Sequence, residues 1–298
     1  MKSKIKNCRQ DQIFTVFNYI FLTLLMLALI YPLIYIISCS FSSGDALMTG
    51  QVKLFPVEPS LQGYKTVFAY DPIWTGYRNS LLYMVSGTIL SVTLTIMAAY
   101  PLSRKDLRGR KGIMTYFVFT MMFSGGMIPS YLLVNQLNID NTIWAIILPT
   151  AVSAYNVIVV RTYYSQTIPE ELLEASKMDG CSDFKFLLHV VIPLSKPIIA
   201  VISLWVAVSL WNSYFNALIY LNSEEKYPLQ LVLRGILIMN QSNISSSVSD
   251  PEILEKMSQV SEMFKYGTII ISSLPLMILY PFIQKYFVKG VMLGSIKG

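Results

Sequence analysis

The segment Ser165–Pro193 reads SQTIPEELLEASKMDGCSDFKFLLHVVIP. Its pattern predicts two short helices joined at a glycine. Pro169 suits the first turn of a helix, and Glu170 and Glu171 suit the positive end of its dipole. Gly180 is a natural stop, so this first helix runs from Pro169 to about Asp179. Ser182 can cap a second helix. Phe184, Leu187, Leu188 and Val191 recur in it at helical spacing and form one apolar face. Pro193 ends it. The segment is thus predicted to be a rigid knob with an apolar side, which could be buried in another protein or against the chain's own bundle.

On both sides of the knob the chain is strongly apolar. Of 298 residues, 54% are hydrophobic and 13% charged, against roughly 25% charged in soluble domains; the mean hydropathy is +0.52. A membrane span needs about 20 mostly apolar residues. Six charge-free stretches of that order occur: Ile13–Ser43, with its apolar core at Phe14–Ile37, then Ser80–Ser103, Ile113–Ile139, Asn141–Val160, Pro197–Ser223 and Tyr266–Gln284. Backbone in lipid must satisfy its own hydrogen bonds, which favours helices. A membrane barrel would show alternating segments of about 10 residues instead. The fold class is therefore an all-α integral membrane protein with six transmembrane helices. Gln136–Asn141 reads as a tight polar turn. The first apolar run is far longer than a signal-peptide core, so it reads as an uncleaved helix.

Lys and Arg placement orients the bundle. With the N-terminus inside, sixteen of the 23 basic residues fall on inner segments, so the net charge of +6 reflects topology and membrane contact rather than nucleic-acid binding. The resulting organisation is a basic cytoplasmic N-terminus (1–12), a six-helix transmembrane domain (13–288) and a cytoplasmic tail (289–298). Within the domain lie an outer loop (44–79), the cytoplasmic knob (161–197) and a second outer loop (224–265). In that last loop, 251–264 reads as a helix with Ile253, Met257, Val260 and Phe264 on one stripe, a docking surface for an outside partner or a lid.

Catalytic chemistry has nothing to stand on. Cys8, Cys39 and Cys181 are odd in number and far apart, so neither a disulfide framework nor a metal site is implied, and the lone His189 cannot complete a cluster. No Gly-x-x-x-x-Gly-Lys-Ser/Thr loop occurs, so ATP cannot be held in that way. The six spans contain no Asp, Glu, Lys, Arg or His. Ion-coupled carriers place ionisable groups inside the bilayer, so an ion-coupled carrier of a polar solute is the rival reading that this absence argues against. Neutral hydrogen-bonding groups are present. Ser209, Asn212, Ser213 and Asn216 fall on one face of the fifth span, and Ser153 and Asn156 on the fourth. They suit a hydroxyl-rich solute or helix–helix hydrogen bonds. Tyr155, Trp211, Tyr214 and Phe215 could stack on sugar rings or pack the bundle.

The knob carries Glu174-Ala175-Ser176, three residues, Gly180, nine residues, and Val190-Val191-Ile192-Pro193. This resembles the EAA loop of ATP-binding-cassette importer permeases, whose pattern is Glu-Ala-Ala, three residues, Gly, nine residues and Ile-x-Leu-Pro. The departures are Ser176, Val190 and Ile192, small or conservative in volume. Asn79-Ser80-Leu81, Ala99–Arg104, Gly126–Pro129, Trp211-Asn212 and the ending Lys289–Gly298 extend the likeness over nearly the whole chain. They are similar to the second, MalG-like permease of maltose-type carbohydrate importers, in the LplC- and YtcP-like branch. The resemblance implies a type I importer permease fold and no ATPase site in this chain. It implies a second homologous permease, two ATPase subunits that bind ATP and magnesium, an extracytoplasmic solute-binding lipoprotein and a bacterial cell membrane around them. It further implies ATPase coupling through Glu174, Ala175, Ser176, Asp179, Gly180 and Pro193, and ATPase contact by the tail through Gly294 and Lys297. The cargo it implies is a carbohydrate, although a permease for a non-sugar solute would share the same loop.

Overall fold

In the computed structural model residues 9–243 and 251–294 are described. Every regular element among them is helical. In chain order these are α1 (Arg9–Ser40), α2 (Gly44–Met48), α3 (Gln62–Ala69), α4 (Asp71–Ser103), α5 (Arg110–Met122), α6 (Met127–Gln136) and α7 (Ile143–Ile147), which tightens into a 3-10 turn at Leu148–Thr150. Then follow α8 (Ala154–Thr167), α9 (Glu170–Met178), α10 (Asp183–Phe186), a π turn (Leu187–Val191), α11 (Ile192–Leu194), α12 (Lys196–Trp211), α13 (Phe215–Tyr220), a 3-10 turn (Glu224–Lys226), α14 (Leu229–Asn243) and α15 (Pro251–Gly294).

Among the described residues, three helices are long and apolar enough to cross a membrane: Gln10–Ser40, Asp71–Ser103 and Lys256–Pro281. The count reaches six if each bent helix pair is one span. The sequence reading of six unbroken spans is thus corrected at three places. The third stretch breaks into α5 and α6, which meet at 112° across Phe123–Gly126, where Gly126 takes φ 85°. The fourth bends by 51° between Thr150 and Ala154, just after Pro149, which cannot donate to a helical ladder. The fifth stops at Trp211 and resumes as α13. The two segments expected to connect spans on the outer side are largely helical. Residues 44–79 hold α2, α3 and the first turns of α4, and residues 224–265 hold α14 and the start of α15.

The chain forms two compact units. The first comprises residues 1–70 and 236–273. Its core packs Cys39, Ala46 and Val52 with Tyr35, Leu47, Val57 and Tyr266. Glycines permit the closest helix approaches, as in membrane bundles generally. A Cβ on Gly63 would stand 2.7 Å from the Met263 carbonyl oxygen, and one on Gly44 2.5 Å from Gln259 Cβ. The stripe expected on 251–264 is displaced. Met257 is 53% exposed, whereas Ser258, Met263 and Phe264 are buried. Ile253 falls outside the residues whose side chains are described.

The second unit comprises residues 71–235 and 274–298, and α4 is its hub, with α8 and α12 packed along it. Ile73, Gly76, Ser80, Tyr83, Met84, Gly87, Ser91, Thr95 and Ala99 are buried, a spacing of three and four that keeps one face inward over the whole helix. The N-terminal half of α4 ties down the chain before α14. Asn79 Nδ2 donates to the carbonyls of Glu225 at 2.7 Å and Tyr227 at 3.1 Å, Tyr83 donates to Lys226 O at 2.8 Å, and Ser80 Oγ accepts from Leu229 N at 2.8 Å. The turn expected at 136–141 is present, with Asn138 and Asn141 both at φ 52°.

Candidate functional site

The knob forms on the expected residues, with a different internal geometry. Pro169 is the N-cap of α9, with extended backbone, rather than a first-turn residue. Gly180 terminates α9 at φ 72°. Its N–H donates to Lys177 O at 3.0 Å, and the Cys181 N–H reaches back to Ser176 O at 2.9 Å. This paired closure requires a left-handed residue at the corner. Ser182 caps the second arm, its hydroxyl oxygen accepting from Lys185 N at 3.4 Å. That arm does not end at Pro193. It runs from α10 through the π turn into α11, and the wide turn sits where Pro193 removes the α-helical bond to the His189 carbonyl.

The π turn also rotates the apolar face. Phe186, Leu187 and Val191 are buried, while Phe184 is 67% and Leu188 43% exposed. The four-residue face predicted from regular spacing is therefore corrected: half of it packs inward and half looks out. Met178 at the corner is 89% exposed. Glu174, Ala175, Asp179, Gly180 and Pro193 are also exposed, and Ser176 is half-buried, its hydroxyl donating to Leu173 O at 2.8 Å.

A charged clamp, absent from the sequence reading, fastens the elbow to the end of α4. Arg104, with a nearly buried side chain, forms ion pairs with Asp106 and with Asp183 and donates to Tyr100 Oη at 3.2 Å. Lys177 approaches Asp106 at 3.7 Å, and Lys105 pairs with Glu170 at 2.8 Å. Arg161 Nε donates to Leu102 O at 3.2 Å. Hydrogen bonding to Asp106, then to Asp183, pushes the Arg104 pKa up against the effect of burial. Arg104 in turn holds the Asp106 carboxyl below its ordinary value. A cavity of about 680 Å³ opens beneath, walled by Tyr100, Arg104, Glu170, Glu174, Lys177 and Phe186 among others. Such a clamp links residues far apart in sequence, and only the arginine in Ala99–Arg104 hinted at it.

A second cavity, of about 370 Å³, lies where α8 begins and α12 passes. Thr150, Val152, Ser153, Asn156, Trp205, Val206, Ser209 and Leu210 line it. The structure thus brings together Ser153, Asn156 and Ser209. Trp211, Asn212, Ser213 and Asn216 do not line this cavity, and the single helical face assumed for Ser209, Asn212, Ser213 and Asn216 is corrected, because α12 ends at Trp211. Trp211 is 1% exposed and meets Tyr77 edge-on at 5.4 Å between ring centroids. Asn212 Nδ2 donates to its own helix at Val208 O, 2.9 Å. Trp205, unremarked in the sequence, borders the cavity. As for the tail, helix α15 extends to Gly294; Lys297 lies outside the described residues.

Residues 5–293 match the family described as binding-protein-dependent transport system inner membrane component. The chain belongs to this family. It is 39% identical to the polygalacturonan/rhamnogalacturonan transport system permease protein YtcP of Bacillus subtilis, covering 97% of this chain and 100% of that one. It is 37% identical to Protein LplC of the same organism over 98% of this chain and 97% of the relative. Among solved structures, a chain of a bacterial ABC transporter involved in the import of the acidic polysaccharide alginate superposes with a TM-score of 0.84. It is 36% identical and covers 94% of this chain and 99% of that one. The permease fold anticipated from the Gly180 motif is therefore correct, and this family member is an inner-membrane permease component of an ABC importer.

Proposed function

We propose that this permease forms half of the translocation pathway for an oligosaccharide, and that ATPase partners drive it by gripping the elbow at Glu174, Ala175, Ser176, Asp179, Gly180 and Pro193. The observation that carries the cargo class is that a relative matched over its full length at 39% identity is named for polygalacturonan/rhamnogalacturonan transport and a solved structure at 36% for alginate import. The grip is supported by an exposed, apolar corner on a clamped base: Leu172, Met178 and Phe184 face outward, while Arg104 fixes both arms to α4 through Asp106, Lys177 and Asp183.

The cycle is alternating access. A loaded solute-binding protein docks on the outer segments, and a second homologous permease completes the path. The ATPases bind ATP and magnesium, close, and pull the elbow so that the pathway opens outward; hydrolysis resets it. Both termini are cytoplasmic on this reading, which the placement of the basic residues supports, and Gly294 and Lys297 reach the ATPases from the tail. Ser153, Asn156, Ser209, Trp211, Asn212, Ser213 and Asn216 belong to the cargo path on this reading. The test is uptake of labelled oligogalacturonate and maltooligosaccharide by cells expressing the complete importer. Uptake of at least one that stops when the permease gene is deleted supports the reading. Deletion that leaves saccharide uptake intact and abolishes uptake of a peptide or polyol refutes it.

A further inference from the structure

We infer that the cavity beneath the elbow is a phosphate site, in which Arg110, Arg161 and Tyr164 hold a phosphate group supplied by the headgroup of an anionic phospholipid. The site holds whichever solute the permease carries. Three apolar stretches end at this place. Arg104 follows Ser80–Ser103, Arg161 follows Asn141–Val160, and Arg110 stands three residues before Ile113–Ile139. All three arginines line the cavity. It therefore opens where hydrocarbon gives way to headgroups, and basic pockets between membrane helices at the cytoplasmic edge are where anionic headgroups bind.

The charges on the wall are unequally matched. Arg104 pairs with Asp106 and Asp183, Lys177 with Asp106, and Lys105 with Glu170. Glu171 and Glu174, also on the wall, are exposed on α9, where water hydrates them. Arg110 and Arg161 are half-buried, and neither meets a carboxylate among the described residues. Among those residues each makes one hydrogen bond, to a backbone carbonyl: Arg110 Nη1 donates to Arg104 O at 3.1 Å and Arg161 Nε to Leu102 O at 3.2 Å. Those carbonyls are two residues apart, at most about 7 Å of chain. Both guanidinium groups are thus anchored on one short stretch, with most of their N–H donors left over. A partly desolvated cation without a counter-charge is unfavourable. Arg110 is also the first residue of α5, whose first turn has no acidic residue, and a cation at the positive end of a helix dipole is the reverse of the favourable arrangement. One anion in the cavity resolves all of this.

Tyr164 supplies an independent observation. It lines the same cavity, is 1% exposed, and its buried hydroxyl has no hydrogen-bond partner among the described residues. A buried donor left unmade costs free energy. Tyr164 follows Arg161 by three residues in α8, so the two share a helix face. Two guanidinium forks, which match phosphate oxygens bidentately, and one phenol O–H make a donor set for a phosphate. The cavity of about 680 Å³ falls in the usual range for small-molecule sites, roughly 300–1,000 Å³, and admits a phosphate with its glycerol. An anion held there bridges the start of α5 to α8 beside the end of α4, the base on which the elbow stands.

The experiment uses the complete permease–ATPase complex in phosphatidylcholine nanodiscs with a rising fraction of phosphatidylglycerol, read as the thermal midpoint. Wild type should show a saturable rise. Arg110→Gln and Arg161→Gln should each raise the half-saturating fraction about tenfold, as for lost charge-assisted bonds. Tyr164→Phe removes only an unpartnered hydroxyl. It should raise that fraction about threefold and leave the midpoint in pure phosphatidylcholine no lower than wild type. Lys111→Gln removes the same charge from an exposed neighbour that does not line the cavity, and should leave half-saturation within about twofold. Half-saturation alike in wild type, Tyr164→Phe and both arginine variants overturns the site. An equal shift in Lys111→Gln overturns it too, because general surface attraction then accounts for the rise. Where an arginine variant fails to assemble, Tyr164→Phe decides. A second arm adds inorganic phosphate to pure phosphatidylcholine nanodiscs. No rise there assigns the site to the lipid; a rise sensitive to the same substitutions keeps the site and overturns the lipid as its source. Binding is read without solute or ATP, so failure here leaves the importer reading standing, and failure of ATP-driven uptake leaves the phosphate site standing.

Discussion

Gly180 is the residue on which the elbow turns, because φ 72° is a conformation that costs an L-residue roughly 1–2 kcal/mol and a β-branched one more. Gly180→Val should abolish saccharide uptake while membrane levels on immunoblot stay normal. Gly180→Asn, which enters this region readily, should retain most of it. Normal uptake by the valine variant would remove the elbow from the coupling route. Arg104 makes a second residue-scale case. Arg104→Gln leaves Asp106 and Asp183 without their shared cation, so ATP hydrolysis should continue while transport per ATP falls several-fold; an unchanged ratio would make the clamp merely structural. Its acid limit has a defined sign. The Asp106 carboxyl is held below its ordinary value near 3.8, so the stabilisation is present above that value and is lost as pH falls through the depressed one. Protection factors for hydrogen exchange at residues 104–106 and 177–183 should fall below about pH 4 in wild type and show no such step in Asp106→Asn. Because the motif spacing is local, Gly180 and its flanking helices were legible in the sequence. The clamp was not, since Arg104 and Asp183 are brought together only by the packing of α4 against the knob.

At the scale of helices, small residues set how closely partners approach. A Cβ on Gly63 would meet main-chain oxygen of Met263 at 2.7 Å, an atom that cannot step aside as a side chain can. Gly63→Ala should lower stability by about 1–3 kcal/mol, read as a fall in the thermal midpoint of the purified complex. Gly50→Ala, at a surface glycine with open space around it, pays only local backbone strain and should lower it less. Equal midpoints for the two would contradict tight packing between 62–69 and 259–267. Hydrophobic runs announced the long helices α1 and α4 because nothing in Phe14–Ile37 or Ser80–Ser103 is charged. They hid the breaks at Phe123–Gly126, at Ala151–Ser153 and after Trp211, since Gly, Ser and Asn are neutral and leave a hydropathy window high. The same blindness displaced the face of the second arm. A regular 3.6-residue period placed Phe184 and Leu188 on one face with Leu187 and Val191, whereas the folded arm with its π turn beside Pro193 buries Phe186, Leu187 and Val191 and leaves Phe184 and Leu188 exposed.

For the whole molecule the decisive feature is where free energy enters. The six charge-free stretches hold no Asp, Glu, Lys, Arg or His, the residues on which ion coupling in a bilayer rests, whereas the exposed elbow stands on a charged clamp at the end of α4. Sequence alone carried the first half of this contrast, because the absence of charge depends on which residue types occur; the clamp depends on packing. The cavity between α8 and α12 did depend on packing: Ser153, Asn156 and Ser209 were visible as polar residues in apolar runs, but Trp205 joins them only in the folded chain. The most direct test is accumulation of labelled oligosaccharide in proteoliposomes of this permease and its partner permease, with and without the ATPases. Uphill accumulation should require the ATPases, ATP and the binding protein, and proton or sodium gradients alone should give none. Concentrative uptake by the permeases on an ion gradient, without nucleotide, would contradict the account.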